Sequence, residues 1–406
     1  MDRKHLARQI FQRTLAAVEP SAAIERCLAI AGGRLFCADR VYELSRFPDV
    51  RVLAVGKAAH GMLDGLLAVM PHGTRLRGIV SAPAAPGQVH TGFKYFEGGH
   101  PEPNDGSLLA GQAALDLVEN ATPETLLIVL LSGGGSALLE SPLQKPLSLA
   151  ELRQLNRELV TCGASIHEIN TVRKHVSAVK GGRLARAAHP ATILTLAISD
   201  VPSGRESALA SGPTLPDPTT CAETRSVIAR HHLRERLPRT VLSFIDSEAM
   251  PETPKAGDAV FAGAQFQLIL GMHELFHAAH RFAEAERFLA CCDNSTDDWP
   301  VEKAANALLA QLEDLQSANP HQAVALIADG EVSSAVTGDG RGGRNAAFVL
   351  ACVEKIAGKP IVVLSAGTDG IDGNSPAAGA VADGNTLARA TEACLDPGDF
   401  FRRSDA

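Results

Sequence analysis

The chain has 406 residues, of which 45% are hydrophobic and 21% charged, values that are ordinary for a globular protein. A chain of this length buries large cores without disulfides and corresponds to roughly two or three domains. Its 46 acidic and 38 basic residues give a net charge of −8, and aromatic residues make up 4%. Both values argue against a nucleic-acid binder, which needs a basic surface and stacking aromatic rings.

The cysteines and the N-terminus indicate a protein of the cytoplasm. The eight cysteines form no C-x-x-C pair, and their scatter fits reduced thiols better than a disulfide framework or a zinc site. Residues 1–20 predict an amphipathic surface helix without the apolar stretch of a signal peptide. We therefore expect a cytoplasmic protein with no membrane partner, and the sequence leaves a homodimer open.

Four short apolar runs predict buried strands, and each run is followed by small polar or charged residues. The runs are residues 51–55, 126–131, 191–198 and 361–366. Helical patterns such as 108–121 and 149–163 lie between them, and this alternation predicts an α/β fold with a doubly wound parallel sheet. Such sheets bind ligands at the carboxyl ends of their strands, where all four polar loops fall.

A Pro-rich stretch without periodicity at 247–258 predicts a linker between two domains. We expect a larger, Rossmann-like N-terminal domain over 1–250 and a smaller α/β domain over 256–406. The charged patch at 291–303 predicts a surface loop.

Two loops after the first and second runs carry residues suited to phosphate. Lys57 precedes a predicted helix, where a cation is unfavourable unless an anion docks at the same helix start. The loop Ser132-Gly133-Gly134-Gly135-Ser136 would offer backbone N–H groups and hydroxyls to phosphate oxygens. The alternatives are a lysine that extends into water and a plain tight turn.

The middle of the chain adds candidate residues for the substrate and for a metal ion. Asn170, Arg173 and Lys174 suit a substrate carboxylate or phosphate, with a solvated helix face as the alternative. Asp200 closely follows the third run and would hold Mg²⁺ or accept a proton from a hydroxyl. A turn or N-cap aspartate is the alternative for that residue.

The C-terminal part contains a weak nucleotide-binding signal. Residues 338–343 have the pattern G-x-G-x-x-G, and we interpret Gly340 and Gly343 as contacts of a phosphate or a substrate anion. Arg344, like Lys57, is a cation at a predicted helix start. Asp369 lies in an acidic turn and is either a metal ligand or an Asx-type turn residue.

Several long motifs, in order along nearly the whole chain, resemble one family. They include GKAAHGM and the segments 99–107, 130–139, 168–185, 198–202, 210–220, 340–345 and 365–373. The chain resembles the type-2 glycerate kinases, which carry a C-terminal domain named MOFRL. The resemblance implies phosphorylation of D-glycerate to 2-phosphoglycerate with ATP and Mg²⁺, in a cleft between a Rossmann-like domain and the smaller one. It places the family's active-site lysine, aspartate and arginine on Lys57, Asp200 and Arg344.

Departures from the family motifs keep two other functions open. Ser203-Gly204-Arg205 stands where the family has Gly-Asp-Asp, and Ala346-Ala347 where it has Gln-Glu. One alternative is an NAD(P)H-dependent hydroxypyruvate reductase with 338–343 as its nucleotide fingerprint. The other is a catalytically weak, ligand-binding relative, which the lost acidic residues favour.

Overall fold

The computed structural model describes residues 3–143, 147–199, 201, 206–334, 338 and 340–406, except the side chains of Met272 and His273. The chain forms two units. The larger is Glu19–Gly271, and the smaller combines Met1–Val18 with Met272–Ala406.

The larger unit contains two sheets. The first is a small antiparallel sheet of β1 (Leu28–Ala31), β2 (Arg34–Cys37) and β3 (Arg40–Glu43). The second has six strands: β4 (Asp49–Val55), β5 (Leu76–Ala82), β6 (Phe93–Glu97), β7 (Thr125–Leu131), β8 (Thr192–Ile198) and β9 (Ala264–Leu270). Its spatial order is β6-β5-β4-β7-β8-β9 with every pair parallel. This is the doubly wound order, in which the strand sequence reverses direction between β4 and β7. The predicted fold class is therefore confirmed.

Helices cover both faces of the six-stranded sheet. After α1 (Arg3–Ala17) of the smaller unit, the larger unit has α2 (Pro20–Cys27), α3 (Ala59–Val69), α4 (Asp105–Val118), α5 (Gly135–Leu138), α6 (Leu149–Thr161), α7 (Ile166–Val176), α8 (Arg183–Ala188), α9 (Cys221–Arg230) and α10 (Arg239–Asp246). In β7, Leu126, Ile128 and Leu130 belong to the core that includes α3, whereas the alternate residues belong to the core that includes α4 and α8. Side chains of a strand alternate between faces, so a strand covered on both sides is apolar throughout.

Helices α6, α7, α9 and α10 form a separate core around Leu155, Val172, Val227 and Val241. This layer holds the helix that carries Asn170, Arg173 and Lys174.

The smaller unit combines α1 with short strand pairs and helices. Its other elements are α11 (Met272–Ala285), β10 (Leu289–Asp293), α12 (Val301–Ala318), β11 (Val324–Ala328), α13 (Arg344–Val353), β12 (Val362–Ala366), β13 (Gly379–Asp383), α14 (Thr386–Glu392) and α15 (Pro397–Arg402). Strands β10 and β11 are parallel, whereas β12 and β13 are antiparallel. The fourth apolar run is thus a strand, but the expectation that it follows the parallel design of the other three is wrong. The prediction of a surface loop at 291–303 is also wrong at both ends, because residues 291–293 belong to β10 and residues 301–303 belong to α12.

The two units of the structure differ from the predicted domains, which end at residue 250 and begin at residue 256. Strand β9 completes the large sheet, so the larger unit continues to Gly271. The stretch interpreted as a linker is partly buried, with Met250 5% and Thr253 1% exposed, whereas Glu248 and Glu252 lie at the surface. Helix α1 joins the smaller unit, where Lys4 pairs with Asp383 at 3.2 Å.

None of the helices in the described ranges combines the length and the apolar character needed to cross a membrane.

Candidate active site

The predicted site residues fall in both units. The larger unit contains Lys57, the loop Ser132–Ser136, Asn170, Arg173 and Lys174. The smaller unit contains Gly340, Gly343, Arg344 and Asp369. Asp200, the predicted metal ligand or proton acceptor, lies outside the described residues.

Lys57 and the loop Ser132–Ser136 lie together where the strand order reverses. Val55 at the end of β4 is paired with Leu131 at the end of β7, so the two following turns start side by side. Open parallel sheets bind ligands at this point, because the adjacent loops leave a crevice there. The structure therefore brings these two predicted features together.

Hydrogen bonds connect the two turns. The backbone N–H of Lys57 donates to the carbonyl oxygen of Gly133 at 2.9 Å, and that of Ala58 donates to Ser132 Oγ at 3.0 Å. Gly56 has φ +125°, and a Cβ there would lie 2.1 Å from Ser132 Oγ, so only glycine fits. The Ser132 hydroxyl thus accepts a hydrogen bond within the fold and lies 3.5 Å from the carbonyl oxygen of Val55, while its role as a phosphate donor stays a prediction.

Two side chains lie against Gly134 of the loop. A Cβ on this residue, whose φ is +82°, would lie 2.9 Å from His100 Cδ2 and 3.5 Å from Lys57 Cγ. Within the described ranges the N–H groups of Gly133 and Gly134 donate to no acceptor, and both residues are only half-buried. These donors are therefore available to a phosphate, and phosphate binding by the loop stays a prediction.

His100 was not among the predicted site residues. It belongs to the family motif at 99–107, and this was the signal that could have identified it.

A buried serine connects the glycine loop to helix α7. The hydroxyl oxygens of Ser136 and Ser211 are 2.9 Å apart, and Ser211 Oγ donates to Asn170 Oδ1 at 3.2 Å. Ser211 is fully buried, and Ala210, Ser211 and Gly212 have φ values of 47°, 58° and 59°. A left-handed backbone is costly for the first two residues and persists where packing determines it, commonly at functional sites. Sequence reasoning missed Ser211, which lies in the family motif at 210–220, because its residue type does not indicate a left-handed backbone.

Asn170 and Arg173 lie three residues apart on α7 and so share one face of the helix. Arg173 Nε donates to Asn156 Oδ1 at 2.7 Å, and burial lowers the pKa of Arg173. In the described part of the chain, Asn170 Nδ2 and the two Nη groups of Arg173 donate to no acceptor. Both side chains thus retain donors suited to a carboxylate.

Lys174 has a different environment from its two neighbours. Its Nζ donates to Asp217 Oδ1 at 3.2 Å, and both side chains are almost fully buried. Burial alone would raise the pKa of Asp217, but the charge of Lys174 and hydrogen bonds from Thr219 outweigh it and hold that pKa below its ordinary value. The geometry favours a structural ion pair for Lys174 over the predicted contact with substrate.

In the smaller unit, the N-terminus of α13 is capped by Asp372. Its carboxylate accepts hydrogen bonds from the N–H of Asn345 at 3.1 Å, from Asn345 Nδ2 at 3.2 Å and from the N–H of Ala346 at 2.8 Å. The Asp372 side chain is buried. A phosphate at this helix start would need these same donors, so the protein's own carboxylate takes the place of the predicted anion.

The glycines before α13 are explained by contacts within the chain. A Cβ on Gly343 would lie 2.3 Å from Asp372 Oδ1, and one on Gly340 would lie 2.4 Å from the carbonyl oxygen of Ser404. The predicted phosphate contacts of Gly340 and Gly343 are therefore not supported. The same contacts argue against a nucleotide fingerprint at 338–343.

Arg344 and Asp369 are both exposed. Arg344 Nη1 pairs with Glu331 Oε1 at 2.8 Å, an exposed ion pair of small net stability. Asp369 Oδ1 accepts the N–H of Ile371 at 3.3 Å, which is the Asx-type turn alternative. Among the described residues, Asp369 belongs to no group of three potential metal ligands.

Comparisons with known proteins cover the whole chain. The model described as "Domain of unknown function (DUF4147)" matches residues 6–246, and that of the "MOFRL family" matches residues 324–406. The "D-glycerate 2-kinase" of Thermotoga maritima is 31% identical, over 99% of this chain and 91% of its own. A protein of Agrobacterium vitis named "Putative hydroxypyruvate reductase" is 34% identical, over 97% of this chain and 86% of its own. A crystal structure of glycerate kinase from Thermotoga maritima has a TM-score of 0.84 at 31% identity, covering 99% of this chain and 92% of that one.

The cap on α13 predicts unequal effects for two aspartates of the same turn. Replacing Asp372 with alanine leaves three donors without their acceptor, and we expect the free energy of unfolding to fall by about 1–3 kcal/mol. The control, Asp369→Ala, changes an exposed side chain of the same turn and should cost no more than about 0.5 kcal/mol. Urea unfolding followed by circular dichroism measures both, and equal losses would contradict the assignment.

The start of α7 predicts a stability effect that depends on pH. The N–H of Ser165 lowers the pKa of Glu168 to about 2, with help from the Ser165 hydroxyl, His231 and Arg230. A depressed carboxyl pKa contributes stability above the unfolded value of about 4.3 and loses it as the pH falls toward the folded value. Glu168→Ala should therefore cost about 1 kcal/mol at pH 7 and less at each step below pH 4. For the exposed Glu25→Ala we expect a small effect at every pH, and a constant Glu168 deficit would refute the explanation.

Proposed function

This chain belongs to the glycerate 2-kinase family with a C-terminal MOFRL domain, and from that premise we propose that it transfers the γ-phosphoryl group of ATP to D-glycerate. The products are 2-phosphoglycerate and ADP. The single observation that carries the proposal is the pair of turns at the point of strand reversal. There the exposed Lys57 lies beside two glycine N–H groups that a phosphate can reach.

Phosphoryl transfer depends on positioning and on neutralising charge. In the proposed site, the N–H groups of Gly133 and Gly134 bind phosphate oxygens, and the Lys57 ammonium balances the charge that develops on the transferring group. His100, whose ring lies against the same glycine, is within reach of that group.

The substrate carboxylate is assigned to α7. Asn170 Nδ2 and the Nη groups of Arg173 are its donors, since an arginine fork binds a carboxylate through two parallel hydrogen bonds. Ser211 positions Asn170 through its buried hydroxyl. Lys174 is left out of this assignment, because Asp217 already holds its charge.

Asp200 and Arg344 retain the roles that the family resemblance implies. Asp200, two residues beyond β8, is proposed to accept the proton of the attacking hydroxyl or to hold Mg²⁺, which when bound neutralises phosphate charge. Arg344 is proposed to bind phosphate. Arg344 can exchange its exposed ion pair with Glu331 for a contact with phosphate at a small cost in free energy.

The activity is tested by incubating the full chain with D-glycerate, ATP and Mg²⁺. We expect ADP to form in step with 2-phosphoglycerate, identified by phosphorus NMR against the 3-phospho isomer. Oxidation of NADH with hydroxypyruvate, without ADP, would favour the reductase. Binding of ATP without turnover would favour a ligand-binding relative.

The role of Lys57 is tested by Lys57→Gln, which removes the charge and keeps most of the volume. Loss of one electrostatic contact to the transition state should lower kcat by about 10²-fold or more. The free energy of unfolding should change by no more than about 1 kcal/mol, because the side chain is exposed. Lys94→Gln, the same change on exposed β6, should leave kcat near the original value. Near-full turnover or a collapse in stability of Lys57→Gln would contradict the assignment.

A further inference from the structure

Three potential metal ligands converge in the larger unit, on segments far apart in the sequence. His175 lies in α7, Cys221 begins α9, and Glu252 lies in the stretch after α10. One ligand atom from each lies within 4.8 Å of the other two. The proposed kinase mechanism uses none of these residues.

The histidine presents a buried nitrogen that has no hydrogen-bond partner in the described part of the chain. The His175 side chain is fully buried, and its Nδ1–H donates to the carbonyl oxygen of Thr171 at 2.8 Å. Among the residues that the structure describes, its Nε2 has no hydrogen-bond partner, and it lies 3.5 Å from Glu252 Oε2. A buried polar atom without a partner calls for an explanation. Histidines that ligate metals commonly donate their other ring N–H to a carbonyl in this way.

The other two ligands are held in place by the backbone. The N–H of Cys221 donates to Glu252 Oε1 at 2.8 Å, which leaves Oε2 toward the histidine. The Cys221 Sγ lies 3.6 Å from the carbonyl oxygen of Met250, a contact typical of a weak thiol donor. Lys255 Nζ lies 3.1 Å from Glu252 Oε2 and is also bonded to Thr253 Oγ1 at 2.7 Å.

We propose that His175 Nε2, Cys221 Sγ and Glu252 Oε2 bind one divalent transition-metal ion of the zinc class, with water as the fourth ligand. A nitrogen, a sulfur and a carboxylate oxygen form a donor set that suits Zn²⁺. Tetrahedral zinc separates its ligand atoms by about 3.3–3.7 Å, which the 3.5 Å between Nε2 and Oε2 already matches. As the metal–sulfur bond forms, the thiol proton leaves to solvent.

A cavity gives the ion and its water access to the site. Its volume is about 570 Å³, and its lining includes the Cys221 and Glu252 side chains. Asp246 and Glu248 add negative charge to this lining and Arg225 adds positive charge, while Arg234 pairs with Asp246 at 2.8 Å. Bound metal would tie α7, α9 and the stretch after α10 together.

The test uses Co²⁺ as the probe on the reduced, metal-stripped full chain. We expect one equivalent of Co²⁺ to produce a thiolate-to-cobalt charge-transfer band that Zn²⁺ abolishes by displacement. Zn²⁺ should also raise the thermal unfolding midpoint, because it binds only the folded chain at this site. Absence of the band at stoichiometric Co²⁺ would overturn the proposal.

Variants then locate the ion. Cys221→Ser and His175→Gln should lose the band, and Glu252→Gln, whose side chain is partly exposed, should weaken binding about tenfold or more while the chain stays folded. Cys292→Ser is the matched control, because Cys292 Sγ also lies beside a histidine nitrogen, His280 Nδ1, at 3.3 Å. A band that survives Cys221→Ser, or that disappears with Cys292→Ser, would overturn the assignment.

Discussion

The close approach of the turns after β4 and β7 is the constraint on which the candidate site depends. A Cβ on Gly56 would overlap Ser132, so the backbone leaves β4 without a side chain and turns at once toward the glycine loop. The hydrogen bond from the Lys57 N–H to Gly133 then fixes the two turns to each other. This contact uses main-chain atoms and the Ser132 hydroxyl, while the Lys57 side chain is exposed and Gly133 and Gly134 are only half-buried. The position of the cation is thus set by the sheet.

The two glycine-rich loops of the chain show why residue type alone does not define an anion site. Both precede helices, and both contain glycines that no other residue could replace. At Gly134 the space around the glycine is bordered by Lys57 and His100, whereas at Gly343 it is filled by Asp372. A carboxylate supplied by the fold satisfies the helix start of α13 in the same way that a bound phosphate would. Distinguishing the two requires knowing which distant residue folds back onto the loop.

Much of the fold could be predicted from sequence where local pattern and burial agree. Strand β7 is apolar at every position because helices cover both faces of its sheet, and this signature identified β4, β7 and β8. The same signature predicted a parallel strand at the fourth run, but β12 pairs with β13 in the antiparallel direction. The stretch around Met250 and Thr253 is polar and rich in proline, yet both of these residues are buried. Met250 belongs to the core that contains residues of α7 and α9, two helices that lie earlier in the sequence. Ser211 and the His175 cluster were missed for the same physical reason, since both depend on tertiary contacts between remote segments.

The buried hydroxyl of Ser211 also determines which groups donate and which accept in the hydrogen bonds that join Ser136, Ser211 and Asn170. Asn170 Oδ1 only accepts, so the single hydrogen of Ser211 points toward α7. In the 2.9 Å hydrogen bond between the two serines, Ser136 is then the donor and Ser211 Oγ the acceptor, so the Ser136 hydroxyl hydrogen points toward Ser211. Ser136 therefore presents lone pairs, and no hydrogen, to anything bound at the glycine loop. In the proposed function, an anion at this loop is therefore bound by main-chain N–H groups and Lys57. The amide hydrogens of Asn170 take no part in the bonds between the two serines and are the donors proposed for the substrate carboxylate.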